Sequence, residues 1–319
     1  MAAVGTIEPA AGEPSVGPPS VGPPSEGSPS GSALQWRRGA RTWLRWIGVV
    51  PFFGYLAIFL LIPTGELVVD AFKGPTGHFT GANVSAAVHA PYLSSFETSL
   101  ELSALSALFG GILGVFVATA VLHRGVPAAL RPVVFTFSGM ASNFAGVPLA
   151  FAFSATIGTG GVLTGLFQHL GVDLTTLVPL TSGVIGLSLV YTYFQFPLMI
   201  LLVIPAIDGL KREWREASTN LGASTISYWR YVGLPIILPS LLGMMLLLFG
   251  SAFSAYATAY ALSGSTGNLV PEVIGNLLNG NITVDPQLAY ALAFGMIVII
   301  TVVLVCYSLL QRRASRWLR

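Results

Sequence analysis

A nucleotide-binding phosphate loop ends in G-x-x-x-x-G-K-[ST]. The two lysines of this chain, Lys73 in Phe-Lys-Gly and Lys211 in Leu-Lys-Arg, stand in no such loop. The chain also holds no H-E-x-x-H, no G-x-S-x-G elbow and no pair of carboxylates set in an apolar run for proton relay. It therefore reads as a non-enzyme with no catalytic residue. His78, His89 and His169, near Asp70 and Asp173, match no short metal motif, and no metal site is assigned. They read as solvated loop residues, as do Glu272 and Asp285. What remains are uncharged polar groups inside apolar runs: Asn143, Gln195, and a crowd formed by Ser251, Ser254, Tyr256, Thr258 and Tyr260. Amides and hydroxyls there can bond a passing solute, or bond one helix to another at about 0.6–2 kcal/mol each.

These groups must be held by membrane-spanning elements. Of 319 residues 53% are hydrophobic and only 9% charged, and the mean hydropathy is +0.75. A soluble fold carries about 25% charge, so this surface is built for lipid. A single cysteine, Cys306, excludes an intrachain disulfide framework. Residues 1–34 are rich in Pro, Gly and Ser, with the near-repeat SVGPP at 15–19 and 20–24. They have nothing apolar to bury and read as a disordered tail, without the basic and apolar regions of a signal peptide. The rest, 35–319, reads as one membrane domain.

Six apolar stretches are long enough to cross a bilayer: 44–63, 98–122, 132–156, 183–204, 236–262 and 288–310. Arg37, Arg38, Arg41, Arg45, Arg124, Arg131, Lys211, Arg212, Arg215, Arg230, Arg312, Arg313, Arg316 and Arg319 all fall on one side, and Lys73 alone on the other. By the positive-inside rule both termini are cytoplasmic. Gly146 and Pro148 weaken backbone pairing inside the third span, and Pro197 follows Gln195 closely in the fourth. Interrupted helices with polar groups at membrane depth mark Asn143, Tyr191, Gln195, Ser254 and Tyr256 as candidates for a path through the bilayer. Glu101 is the acid nearest a span, at the outer end of the second, where solvation is the ordinary explanation. Gly110 and Gly114 form a G-x-x-x-G pair for close helix packing.

Between the fourth and fifth spans lies a segment, 210–239, far too long and too patterned for a plain connection. Leu210, Trp214, Ala217 and Leu221 form one helical stripe, with Lys211, Arg212, Glu213, Arg215 and Glu216 on the other faces. Gly222 stands where a left-handed cap would end that helix, Ser224 can cap a second, and Pro235 is expected to close it. The spacing fits a docking element that presses on a partner and equally a helix lying passively among headgroups.

The residue order separates the two. Glu216-Ala217-Ser218, three residues, Gly222, nine residues, then Val232-Gly233-Leu234-Pro235 resembles the EAA loop of binding-protein-dependent ABC transporter permeases, E-A-A-x3-G-x9-I-x-L-P, with Ser218 and Val232 as departures. The resemblance implies an all-α type I importer fold of six transmembrane helices with a cytoplasmic coupling helix. It further implies that Trp214, Glu216, Ala217, Ser218, Leu221, Gly222, Leu234 and Pro235 dock a separate ATPase. The implied partners are two cytoplasmic ATPase subunits holding ATP and Mg, a second six-span permease, and an extracytoplasmic solute-binding protein, in a bacterial plasma membrane. No cofactor on this chain and no nucleic acid are implied. The stretch 253–264, FSAYATAYALSG, is similar to permeases of the polyamine, phosphonate, iron and sulfate group. Tyr191, Tyr193, Tyr256 and Tyr260 would suit a polyamine-like cation by their ring faces. A stand-alone carrier or channel is the alternative, for which intramembrane charge and clear inverted repeats are wanting.

Overall fold

The computed structural model describes residues 49–74, 77–122, 125–127, 129–179, 183–279 and 285–317. The tail 1–34, the arginines from 37 to 45, Arg124 and Arg319 lie outside the described residues. The described chain is helical, with no strand beyond an isolated bridge between Lys73 and Phe79. It contains six helical segments long and apolar enough to cross a membrane.

Two compact units meet in sequence at 61/62. The described part of the first is α1 (Val50–Leu56) and a π-helical turn at Ala57–Leu61. The second unit holds α2 (Ile62–Asp70), α3 (Ala82–Ala87), α4 (Tyr92–Val121), α5 (Leu130–Asn143), α6 (Val147–Ile157), α7 (Val162–Gln168) and α8 (Leu174–Leu177). It continues with α9 (Val184–Asp208), α10 (Arg212–Asn220), α11 (Thr225–Tyr228), α12 (Leu234–Phe253), α13 (Ala257–Ser263), α14 (Val270–Asn279) and α15 (Pro286–Trp317).

The axis of the second unit is α9. Buried residues make up 67% of its span, against 22–33% for the other crossing segments from residue 92 onward. It is apolar all round, as a helix enclosed by others must be. The Gly110 and Gly114 pair explains how α4 reaches it: a side chain at either position would overlap Gln195 or Met199 of α9. The close-packing motif is therefore spent within the chain. Below that contact Met199, Ile200, Val203 and Leu248 form one core, and above it Leu102, Leu149, Tyr191, Phe194, Ala252 and Ala259 form another.

Three expected spans need correction. The first runs on to Asp70 rather than ending at 63, because Pro63 follows a π-helical turn and the apolar run continues past it; its expected start at 44 lies outside the described residues. The third is not one helix over 132–156. It breaks at 144–146 into α5 and α6, and the apolar length sufficient for crossing is Val147–Gln168. Gly146 has φ +75°, outside any helix, and Pro148 sits in the first turn of α6, where its missing N–H has no partner to lose. The fifth begins at Thr225 and ends at Phe253 rather than spanning 236–262. Pro235 does not stop it, since it occupies the first turn of α12 after a π-helical turn at Trp229–Gly233.

Candidate functional site

The loop between α9 and α12 is built by its own backbone. Gly222 adopts φ +77°, which an L side chain resists by about 1–2 kcal/mol. Around it the Ala223 N–H donates to the Ser218 carbonyl at 3.0 Å and the Gly222 N–H to the Thr219 carbonyl at 2.9 Å. This pair of bonds is the Schellman closure of α10. Ser224 then caps α11 by accepting from the Ser227 N–H at 3.2 Å. On α10 the Arg212 guanidinium donates to Glu216 at 2.8 Å, and the Lys211 ammonium lies 5.7 Å from the centre of the Trp214 ring. Trp214 and Ser218 are half-buried; Glu216, Ala217, Gly222, Leu234 and Pro235 are exposed. Leu221 is 88% and Ile226 79% exposed, an unusual cost for aliphatic groups beside five charged neighbours. Between α10 and α11 opens a concavity of about 510 Å³, walled by Arg215, Glu216, Thr219, Ser224 and Tyr228 among others.

A second assembly lies where two helices break side by side, next to the ends of the crossing lengths Val147–Gln168 and Thr225–Phe253. The N–H freed at Gly146 donates to the Thr258 hydroxyl at 2.7 Å. The Ala255 carbonyl, freed between α12 and α13, accepts from the Tyr191 hydroxyl at 2.8 Å. Each break thus satisfies its backbone from another helix, as lipid requires. Of the five sequence-derived path candidates, Tyr191 and Gln195 are fully buried. Tyr191 supports the second break, and Gln195 Nε2 donates to the Leu248 carbonyl at 2.9 Å while its Oε1 has no protein partner. Asn143, Ser254 and Tyr256 are exposed and flank the two breaks. Asn143 bonds back to the Gly139 carbonyl at 2.9 Å and Ser254 to the Gly250 carbonyl at 3.0 Å. Tyr256 stacks on Tyr260, ring centres 5.1 Å apart.

Three residues have partners that the sequence did not assign. Thr258 was one hydroxyl among many, and nothing local reveals that it serves Gly146. Asp208 ends α9 and pairs with Arg131, the second residue of α5, across a groove of about 700 Å³. The pair ties the residues just before α10 to the first half of the broken α5–α6 rod. Glu272 is the clear reversal: expected to be a solvated loop residue, it is 1% exposed in the first turn of α14. It accepts from the Ser263 hydroxyl, and from the Leu269 N–H at 3.2 Å. Burial pushes its carboxyl above the ordinary glutamate range, while those two hydrogen bonds pull the other way. Asp285, His78, His89, His169 and Asp173 are exposed as expected. The second span starts early enough to include Glu97, so Glu101 has a companion acid one turn away, both exposed.

The sequence profile described as "Binding-protein-dependent transport system inner membrane component" matches residues 110–317. A probable sulfate transport system permease protein of Nephroselmis olivacea is 24% identical over 213 residues, 66% of this chain and 70% of that one. A spermidine/putrescine transport system permease homolog of Mycoplasma pneumoniae is 24% identical over 279 residues, covering 84% of this chain and 89% of its own length. In solved structures, the fold is like that of a bacterial alginate ABC transporter crystallised with an alginate pentasaccharide-bound periplasmic protein. There the TM-score is 0.67 at 19% identity, over 87% of this chain and 97% of that one.

Proposed function

Because the chain belongs to the binding-protein-dependent transport system inner membrane components, the permease subunits of ABC importers, we propose that α10 and α11 couple its six spans to a separate ATPase. The protein is a multi-pass inner-membrane permease. The carrying observation is the Schellman-capped knob with Leu221 and Ile226 turned out into solvent. Such a knob transmits displacement as a rigid body, and its exposed aliphatic groups find cover in a partner's cleft. Trp214, Glu216, Ala217, Ser218, Leu221 and Gly222 make that contact, while Leu234 and Pro235 start the span behind it.

Both termini are cytoplasmic in this reading. Its support is that Arg131, Lys211, Arg212, Arg215 and Arg230 lie at the end of the bundle carrying α10, and Lys73 at the other. Two ATPase subunits with ATP and Mg stand below, a second six-span permease alongside, and a solute-binding protein outside. Displacement of α10 passes through Asp208 to Arg131 and α5, then from Gly146 to Thr258 and α13. The exposed groups at the two breaks, Asn143, Ser254 and Tyr256, line the path, and Tyr191 and Gln195 hold it in shape. The solute is small and polar or charged. A polyamine-like cation is favoured by the Tyr256–Tyr260 stack, whose faces attract positive charge.

The test is purification of the tagged chain from its own cells in mild detergent. A nucleotide-hydrolysing subunit is expected to co-purify and to be crosslinked by a photoreactive group at position 221. Uptake of solute by vesicles holding this chain alone, without nucleotide, would overturn the reading.

A further inference from the structure

The proposed function leaves Glu272 unused. Its carboxyl fills two of roughly four acceptor positions with the Ser263 hydroxyl and the Leu269 N–H. No cation pairs with it among the described residues. Lys73, the lysine at this end of the bundle, is held by Asp70 at 2.7 Å. The other charged groups here are acids such as Glu97, Glu101, Asp173 and Asp285. The bond to the Leu269 N–H is half of a helix-capping arrangement and explains a glutamate at this helical position. Capping alone leaves its burial unexplained, since a capping carboxylate does the same work with its charge in water.

A cavity of about 270 Å³ adjoins the carboxyl. Its walls are Thr98 and Leu102 of α4, Val184 and Leu187 of α9, and Thr266 and Asn268 of the loop before α14. Hydroxyl and amide oxygens therefore share the space with Glu272, opposite an aliphatic wall. A carboxylate withdrawn from water without a counter-ion is costly unless a proton or a cation reaches it.

We infer that this cavity is a binding site for the ammonium end of a small organic cation, with Glu272 as counter-ion. The hydroxyls of Thr98 and Thr266 donate to the Ser94 and Ser263 carbonyls, and the Asn268 amide oxygen accepts from the Ser95 hydroxyl at 2.6 Å. Lone pairs remain on all three oxygens to accept the remaining N–H groups, and Leu102 and Leu187 pack against the carbon chain. The volume lies just below the usual range for small-molecule pockets, about 300–1,000 Å³, and so selects a short amine. The site deepens the proposed function and rests on that reading for its meaning in transport: a cation-selecting step at the end of the bundle opposite α10.

The test uses the full-length chain, purified with its co-purifying subunits in nanodiscs, and follows thermal unfolding and calorimetric titration. The probes are 1,4-diaminobutane, the neutral 1-butanol and the anion butyrate. Saturable stabilisation by the diamine alone is expected. Glu272→Gln keeps its amide oxygen for the Leu269 N–H, and its amide N–H can donate to the Ser263 hydroxyl, which then gives its own hydrogen to the Ala259 carbonyl at 2.9 Å. It is therefore expected to fold and to weaken the diamine by roughly tenfold or more. Leu187→Trp fills the cavity without touching the carboxyl and is expected to abolish the response, which keeps the test open should Glu272→Gln not fold. An unchanged diamine response in either folded variant, or none in the native protein, overturns the site. Diamine binding without any ATP-driven uptake would instead count against the permease reading, and ATP-driven uptake without diamine binding against the site alone.

Discussion

The loop carrying α10 and α11 and the paired breaks at 144–146 and 254–256 are both interruptions of helical order, held in opposite ways. Around Gly222 the bonds that close the loop span three to five residues, from Thr219 to Gly222, Ser218 to Ala223 and Ser224 to Ser227. At the breaks they run from 146 to 258 and from 191 to 255. A structure closed on itself can be displaced whole without losing a bond. Two breaks that satisfy each other's neighbourhood move together or lose partners in a medium that supplies no replacement. The first arrangement suits a part that is pushed, the second a part that must switch between discrete states.

The widest separation between the regions is expected from Glu216→Arg. It removes the partner of Arg212 and reverses charge on the proposed docking face. Vesicle uptake should fall roughly 30-fold or more, the scale of a lost interface hot spot of about 2 kcal/mol, while membrane content and thermal stability stay native. Equal loss of stability would mean that the loop is not independent of the bundle.

Thr258→Val probes the other region. It leaves the Gly146 N–H without its acceptor, a cost of about 1–3 kcal/mol, and should lower the unfolding temperature of the whole bundle. Ser224→Ala, a lost cap of about 1 kcal/mol, should instead raise hydrogen exchange only in α11. If both variants unfold the same residues first, the distinction between a self-closed and a mutually held region fails.

The ion pair joining the two regions is half-exposed, and such pairs contribute about 1 kcal/mol or less. Arg131→Asp and Asp208→Arg should each lower solute moved per ATP by a few fold, about 1 kcal/mol of coupling, with the double exchange restoring most of it. Restored stability without restored coupling would make the pair a structural tie only.

The smallest effect expected is a pH slope. Glu272 holds its proton more tightly when folded than when unfolded, so the unfolded chain ionises first as pH rises. Stability should therefore decline as pH climbs from the ordinary glutamate range through the raised one, and Glu272→Gln should flatten that decline. A slope of opposite sign would mean that a cation already holds the group ionised.

What the sequence determined by itself is whatever rests on local rules. Composition made the chain a membrane protein. The stripe from Leu210 to Leu221, the glycine after it and Ser224 as the next cap foretold α10, its closure and α11, because every partner in that closure is a near neighbour in the chain. Gly146 and Pro148 likewise announced the first break. Nothing in Ser254-Ala255-Tyr256 is a helix breaker, and a continuous fifth span to 262 was the sound expectation. Only the tertiary structure, by bringing Tyr191 to the Ala255 carbonyl, Thr258 to Gly146 and Ser263 to Glu272, decided that the helix stops there and that an acid from a connecting segment is buried. In lipid a freed backbone group is tolerable only if another helix reaches it, and which helix does so is fixed by packing, not by the residues beside the break.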